Sequence, residues 1–250
     1  MAVDEALAET VGGARSAASG GAEAAGVVRL YGFSPATLSL GRFQKTKGQF
    51  SFGLLSADGV TLVRRPTGGH AVLHDDELTY SVALPKAGTQ LSRKREVYLF
   101  IADILLAGLA NLGITGTINA ASQGDIHNPD CFGSAGEYEI ADSGGRKLIG
   151  SAQMTTRTAI LQHGSIPISN PGSRVARYLE AGPPRESRPP SCLGEEAGRA
   201  LSFEEVRFAF SRAFADRLSA EDSEVLPAEE ARARQILESK YGSDGWNLAC

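Results

Sequence analysis

The chain has 250 residues, is 42% hydrophobic and 22% charged, and carries a net charge of −4. This is an ordinary globular balance, long enough to bury a core without cross-links. The mild acidity excludes the global basic field expected of a nucleic-acid binder. The three cysteines, Cys131, Cys192 and Cys250, are widely spaced. They fit a reducing compartment better than a disulfide framework, and they argue against a thiolate zinc site.

From the start of the chain, Ala2–Thr10 reads as a short helix of good helix formers. Val11–Gly26 is rich in Gly, Ala and Ser and reads as a flexible loop. Val27–Tyr31, Thr37–Gly41 and Thr61–Arg65 are short apolar or β-branched runs bounded by Gly or Pro, which predicts strands. Two more strands, Ala71–His74 and Leu78–Leu84, follow the Gly68–Gly69 turn. Lys94–Leu112 is the clearest helix. Val97, Ile101, Ile104, Leu105 and Leu112 share one face, and Gly113 ends it.

Tyr138–Ala141 and Arg146–Gln153 flank the Ser143–Gly145 turn as a hairpin, and Ala159–Ile166 supplies a further strand. Ala181–Ala200, rich in Pro, Gly, Glu and Arg, is expected to be an exposed connection. Ser202 and Glu205 form a capping-box signature, and the helix behind it turns Phe203, Val206, Phe210 and Phe214 inward. Pro227 opens a last helix that ends near Tyr241. The start of the chain has no secretory pattern, and the most apolar run, Leu99–Ala110, is too short to span a bilayer. The expectation is a soluble, cytoplasmic protein. The fold class is α+β, a mainly antiparallel sheet with packed helices. One catalytic domain covers 1–250, with 1–26 a helix and flexible loop, 181–200 a connection and 201–250 C-terminal helices.

Three constellations could carry chemistry. In the first, Arg64-Arg65-Pro66-Thr67-Gly68-Gly69-His70, a strand runs into a Gly–Gly loop whose backbone N–H groups can approach an anion or oxyanion. Adjacent strand residues face opposite ways, so at most one of the two arginines points at the same pocket. An ordinary hairpin turn with a solvated arginine remains open. The second pairs Cys131, in loop-forming sequence, with Lys147, which shares a strand face with Ile149, Ser151 and Gln153. An ammonium near a thiol favours the thiolate. From spacing alone, an inert buried cysteine and a lysine snorkelling to water remain open. The third is the histidine set. His70, His74 and His163 are too dispersed for a metal site, and His74 and His163, placed at strand ends, suit the orienting of a pocket.

Together these pieces resemble the lipoate–protein ligase and octanoyltransferase superfamily, most closely its cysteine-dependent octanoyltransferase branch. The resemblance rests on Arg29–Gly41, Arg64–His74 with Glu77–Ser81, Gly145–Gln153 and Leu161–Ser165, with a weaker match at Lys240–Tyr241 and Trp246–Asn247. It covers nearly the whole chain. It implies the biotin/lipoate-ligase type of fold, with the Gly–Gly loop and the lysine-bearing strand lining one acyl pocket. It implies Cys131 as nucleophile and Lys147 as its charged partner. Arg65, Thr67, Gly68, Gly69, His74, Gly150, Ser151, Gln153 and His163 would bind the substrate.

No metal or cofactor is implied, because transfer from a thioester needs no ATP. The implied donor is octanoyl-acyl carrier protein. The implied acceptor is a lysine of a lipoyl domain or of a glycine-cleavage H-type protein, with neither nucleic acid nor membrane as partner. Such partners are usually acidic, so docking would use the local basic clusters Lys45 with Lys47, or Arg93-Lys94-Arg95. An amidotransferase between lipoylated proteins, an ATP-dependent lipoate ligase and a non-catalytic lipoyl-protein binding module are the competing readings. Relative to the resembled family, Met1 falls inside the first helix, which implies a shortened N-terminus.

Overall fold

The computed structural model describes residues 1–17, 26–86, 93–119, 139–169, 174–180 and 190–249. Helix α1, Ala2–Ala17, comes first. Strands β1 (Val27–Tyr31) and β2 (Thr37–Leu40) follow, then the short helix α2 (Phe52–Ala57). Next are β3 (Thr61–Arg64), β4 (Val72–His74), β5 (Glu77–Pro85) and the long helix α3 (Lys94–Asn111). The second half runs through β6 (Thr117–Ile118), β7 (Ile140–Ala141), β8 (Lys147–Thr155) and β9 (Ala159–Pro167). Helices α4 (Arg174–Arg177), α5 (Leu193–Ala197), α6 (Phe203–Leu218) and α7 (Pro227–Ile236) come after it. A π-helical turn at Leu237–Tyr241 and α8 (Asp244–Asn247) complete the described elements.

The strands form two sheets. The larger has the order β1-β5-β9-β8-β7-β6, and all its pairings are antiparallel. The smaller has the order β3-β2-β4, with β2 parallel to β3 and antiparallel to β4. Period-two alternation in β5 and β9 sorts the residues by face. Leu78, Tyr80, Val82, Ile160 and Ile166 join the main apolar core with Ile101, Ile104 and Leu105 of α3 and Phe210 and Phe214 of α6. Gly108 lets α3 approach α6, because a Cβ there would run into the Phe210 ring. On the other face, Ala83 and Leu161 pack under Ala8 and Val11 of α1. The polar members of that face, Thr79, Ser81, His163 and Ser165, are buried.

Two expectations need correction. The segment after Thr10 does not loop out at once, because α1 runs on to Ala17. Gly12 is a contact residue there: a Cβ would overlap Thr158, so glycine lets the helix sit against the β8–β9 turn. Nor is Ala181–Ala200 exposed throughout. Ser191, Cys192 and Leu193 are buried. The Ser191 N–H donates to Lys147 O at 3.0 Å and Gly194 N–H to Ile168 O at 2.9 Å, which pins α5 to the sheet. The cap of α6 is half of a capping box. Ser202 Oγ accepts from Glu205 N–H at 3.2 Å, while the Glu205 carboxylate pairs with Arg199.

Candidate active site

Arg64 and Arg65 diverge, as adjacent residues at a strand end must, but neither is solvated. Arg64 turns toward the C-terminal segment. Arg65 spans the base of the Gly–Gly turn. Its Nη1 donates to Ser39 O at 3.1 Å and to Ser39 Oγ at 3.2 Å. Its Nη2 donates to Gly68 O at 2.9 Å and His70 O at 2.7 Å. The turn's carbonyls are thus gathered onto one guanidinium. Gly69 has φ +92°, a conformation that favours glycine. The N–H groups of Gly68 and Gly69 donate to no group among the described residues, which leaves them for solvent or a ligand.

Behind the turn lies a buried polar cluster. Glu77 Oε1 accepts from His74 Nδ1 at 2.6 Å and from Thr79 Oγ1, and Oε2 accepts from Ser165 Oγ. The other nitrogen of His74, Nε2, lies 2.8 Å from Ser39 Oγ. Phe33 stacks on the His74 ring at 4.3 Å between centroids. His163 Nε2 is 2.6 Å from Thr67 Oγ1, and Nδ1 has no partner among the described residues. His163 stands inside β9 rather than at a strand end.

Burial pushes the pKa of His163 down to about 3, with Arg65 adding to the effect and Asp4 opposing it. The folded-state pKa lies below the ordinary histidine value of 6.5, so this contribution to stability is complete above pH 6.5 and is lost as pH falls toward 3. Acidification from pH 7 to about pH 5 is expected to cost about 2 kcal/mol through this group. Urea melts at the two pH values measure the loss, and His163→Gln should remove most of it. An unchanged pH slope in that variant would refute the assignment.

A cavity with about 360 Å³ of empty space, including its open mouth, lies against these groups. It takes Arg65, His74, Gly150, Ser151 and His163 from the expected site, together with Ser39, Thr79 and Ser165. Gly164 also lines it, and a Cβ there would overlap Gly150 O and the Tyr80 ring. Tyr80 Oη is 2.7 Å from Ser151 Oγ and accepts from Gln162 Nε2 at 3.0 Å. Burial pushes this phenol up to about 12, so it stays protonated.

Thr67 reaches the cavity through His163, and Gly68 and Gly69 through Arg65. Gln153 is farther along β8, where its Nε2 donates to Gln162 Oε1 at 3.1 Å. Lys147 begins the same strand at the other end and is not in the cavity wall. Its Nζ lies 2.7 Å from Glu139 Oε1, with side-chain exposures of 1% and 8%. Cys131 and Tyr138 lie outside the described residues. Cys192 is buried at the N-terminus of α5, and burial pushes its thiol up, so it is not an activated nucleophile.

Four members of this constellation were not expected from the sequence: Ser39, Glu77, Thr79 and Ser165. A signal existed for two of them. Glu77, Thr79 and Ser81 alternate with Leu78, Tyr80 and Val82, and a polar set at period two inside a buried strand marks a polar face.

The sequence profile of the lipoyl protein ligase A/B catalytic domain matches residues 1–215. The chain belongs to this family. Among its relatives in the family, octanoyltransferase LipM of Symbiobacterium thermophilum is 35% identical over 99% of this chain and 93% of its own length. Octanoyltransferase LipM of Kyrpidia tusciae is 36% identical over 99% and 93%. Solved members share the fold. A lipoate-protein ligase A bound with ATP superposes with a TM-score of 0.77 at 23% identity, over 99% of this chain and 92% of that one. The bipartite lipoate protein ligase of Thermoplasma acidophilum gives 0.72 at 21%, over 98% and 91%.

Proposed function

We propose that this chain is an octanoyltransferase that carries its acyl group on Cys131. The likeness over nearly the full chain to proteins named as octanoyltransferases carries this reading. In the first step the Cys131 thiolate attacks the thioester carbonyl of octanoyl-acyl carrier protein, and the carrier thiol leaves. In the second, a lysine amine of a lipoyl domain or a glycine-cleavage H-type protein attacks the acyl-cysteine. The amide forms and Cys131 is released. Amide formation from a thioester runs downhill, so no ATP is needed.

Lys147 supplies positive charge beside the thiol, and the N–H groups of Gly68 and Gly69 receive charge developing on the carbonyl oxygen. Glu139, the partner of Lys147, lies eight residues after Cys131, so the segment bearing the thiol leads directly into the ion pair. Arg65, Thr67, His74, Gly150, Ser151, Gln153 and His163 shape and bind rather than react. The exposed Lys45 and Lys47 follow the exposed Phe43, in the loop after Gly41, which packs on Gly69. This loop offers acidic partners a basic rim beside the turn.

The test is intact mass after mixing the protein with octanoyl-acyl carrier protein, without ATP, beside Cys131→Ser. A hydroxylamine-labile octanoyl adduct on the unaltered protein alone is the expected result. No adduct, with activity only from free acid and ATP, would make the chain a ligase.

A further inference from the structure

From the geometry of Ser39, His74 and Glu77 we infer a second acyl-reactive centre, a serine hydrolase triad that discharges medium-chain acyl thioesters entering the cavity. The triad is recognised by distances and roles rather than by sequence order. Ser39 Oγ is 2.8 Å from His74 Nε2, and His74 Nδ1 is 2.6 Å from Glu77 Oε1. A nucleophile in reach of a base, and a base oriented by a third group, is the arrangement such chemistry needs.

The proton positions follow from the donors around the cluster. Thr79 and Ser165 are hydroxyls, and both donate to Glu77. Both carboxyl oxygens therefore accept, and His74 gives its Nδ1–H to Oε1. In the neutral imidazole that leaves the lone pair of Nε2 facing Ser39, 2.8 Å from the hydroxyl that can donate to it. Arg65 Nη1 donates to a lone pair of the same oxygen. These contacts are compatible with the protonation state from which a serine attacks.

A structural hydroxyl would need none of this to line a cavity. Ser39 and His74 both line the cavity described above, with Arg65 beside them. Ser39 is 0% exposed, so only a group that enters the cavity can reach it, and bulk water is kept from the nucleophile.

The chemistry balances with water as co-reactant. Ser39 Oγ attacks the thioester carbonyl as its proton passes to His74 Nε2. The Arg65 guanidinium faces the charge that develops. The C–S bond breaks, and the imidazolium returns the proton to the departing sulfur, giving a free thiol. Water then attacks the acyl-serine, again losing its proton to His74. The carboxylic acid leaves and Ser39 is restored. Only the substrate class, a medium-chain acyl group, rests on the octanoyltransferase reading.

The experiment uses Cys131→Ala, in which no acyl group can pass through Cys131, with the octanoyl thioester of N-acetylcysteamine as probe. Hydrolysis followed by thiol release should exceed that of Cys131→Ala/Ser39→Ala by ~100-fold, the scale of general acid–base assistance. An alkyl fluorophosphonate should add one phosphonyl group to Cys131→Ala, mapped to Ser39, with loss of fluoride. This labelling needs no change at Ser39, so it decides the matter even where the double variant fails to fold. Hydrolysis equal in the two variants, or no label on Ser39, overturns the triad. An acyl adduct at Cys131 in the unaltered protein, without hydrolysis in Cys131→Ala, would leave the transferase standing alone. Hydrolysis at Ser39 without a Cys131 adduct would do the reverse.

Discussion

Lys147→Met is expected to abolish acyl transfer and to destabilise the fold by about 3–5 kcal/mol. Two effects are combined here, and they can be separated. The Lys147 ammonium and the Glu139 carboxylate are 2.7 Å apart and almost wholly withdrawn from water. Removing the cation takes the 2.7 Å ion-pair partner from a buried carboxylate, which accounts for the stability loss. Replacing both partners by neutral groups of similar shape removes that imbalance of charge, so Lys147→Met/Glu139→Gln should recover most of the stability. It should recover none of the activity, because the charge proposed to activate Cys131 is still missing. Urea melts read the first quantity and octanoyl transfer to a lipoyl domain reads the second. Transfer above about a tenth of the normal rate in Lys147→Met, roughly 1.4 kcal/mol in transition-state terms, would remove Lys147 from the chemistry. A double variant no more stable than the single one would show that the pair is not what the loss measures.

The parts of this architecture that were legible in the sequence are those set by local periodicity. The alternation of β5 and β9 and the helical spacing of Val97, Ile101, Ile104 and Leu105 were enough to place these elements to within a residue or two. What could not be read are features decided by contacts between distant segments. Gly12 looks like a loop residue until Thr158 is seen against the helix. Cys192 and Leu193 sit among prolines and charges, yet their neighbours Ser191 and Gly194 donate to Lys147 O and Ile168 O and hold them against the sheet. The site divides in the same way. Arg65, His74 and His163 are conspicuous in sequence because their chemistry is rare inside strands. Ser39 is an unremarked serine until His74, 35 positions away, is found against its hydroxyl. The spacing of Lys147 did announce a lysine among apolar neighbours. That its charge is answered by Glu139 follows only from the pairing of β7 with β8.

Arg64 shows how far such a distant contact can reach, and Arg64→Met is expected to destabilise the protein by about 3–4 kcal/mol. Its side chain is fully buried, with Nη1 donating to Gly41 O at 2.7 Å and Gln44 O at 2.7 Å and Nε donating to Trp246 O at 3.1 Å. The Arg64 backbone is held as well, its N–H by Asn247 Oδ1 at 3.0 Å and its carbonyl by Trp246 Nε1 at 2.8 Å. One residue thus joins β3, the loop after Gly41 and the C-terminal α8. Methionine fills much of the volume but takes the guanidinium's bonds from those carbonyls, and that loss is what the melt would measure. Arg64→Lys should lose nearly as much, because one ammonium cannot reach carbonyls on both sides of a planar fork. The consequence extends to the turn. Gly41 packs so closely on Gly69 that no Cβ fits between them. Releasing Gly41 O from Arg64 therefore loosens the support of the Gly68–Gly69 N–H groups. The two variants should accordingly lower kcat for transfer at temperatures where they remain folded. A loss below about 1 kcal/mol, the worth of one ordinary hydrogen bond, would mean that the C-terminal segment and the turn are held independently.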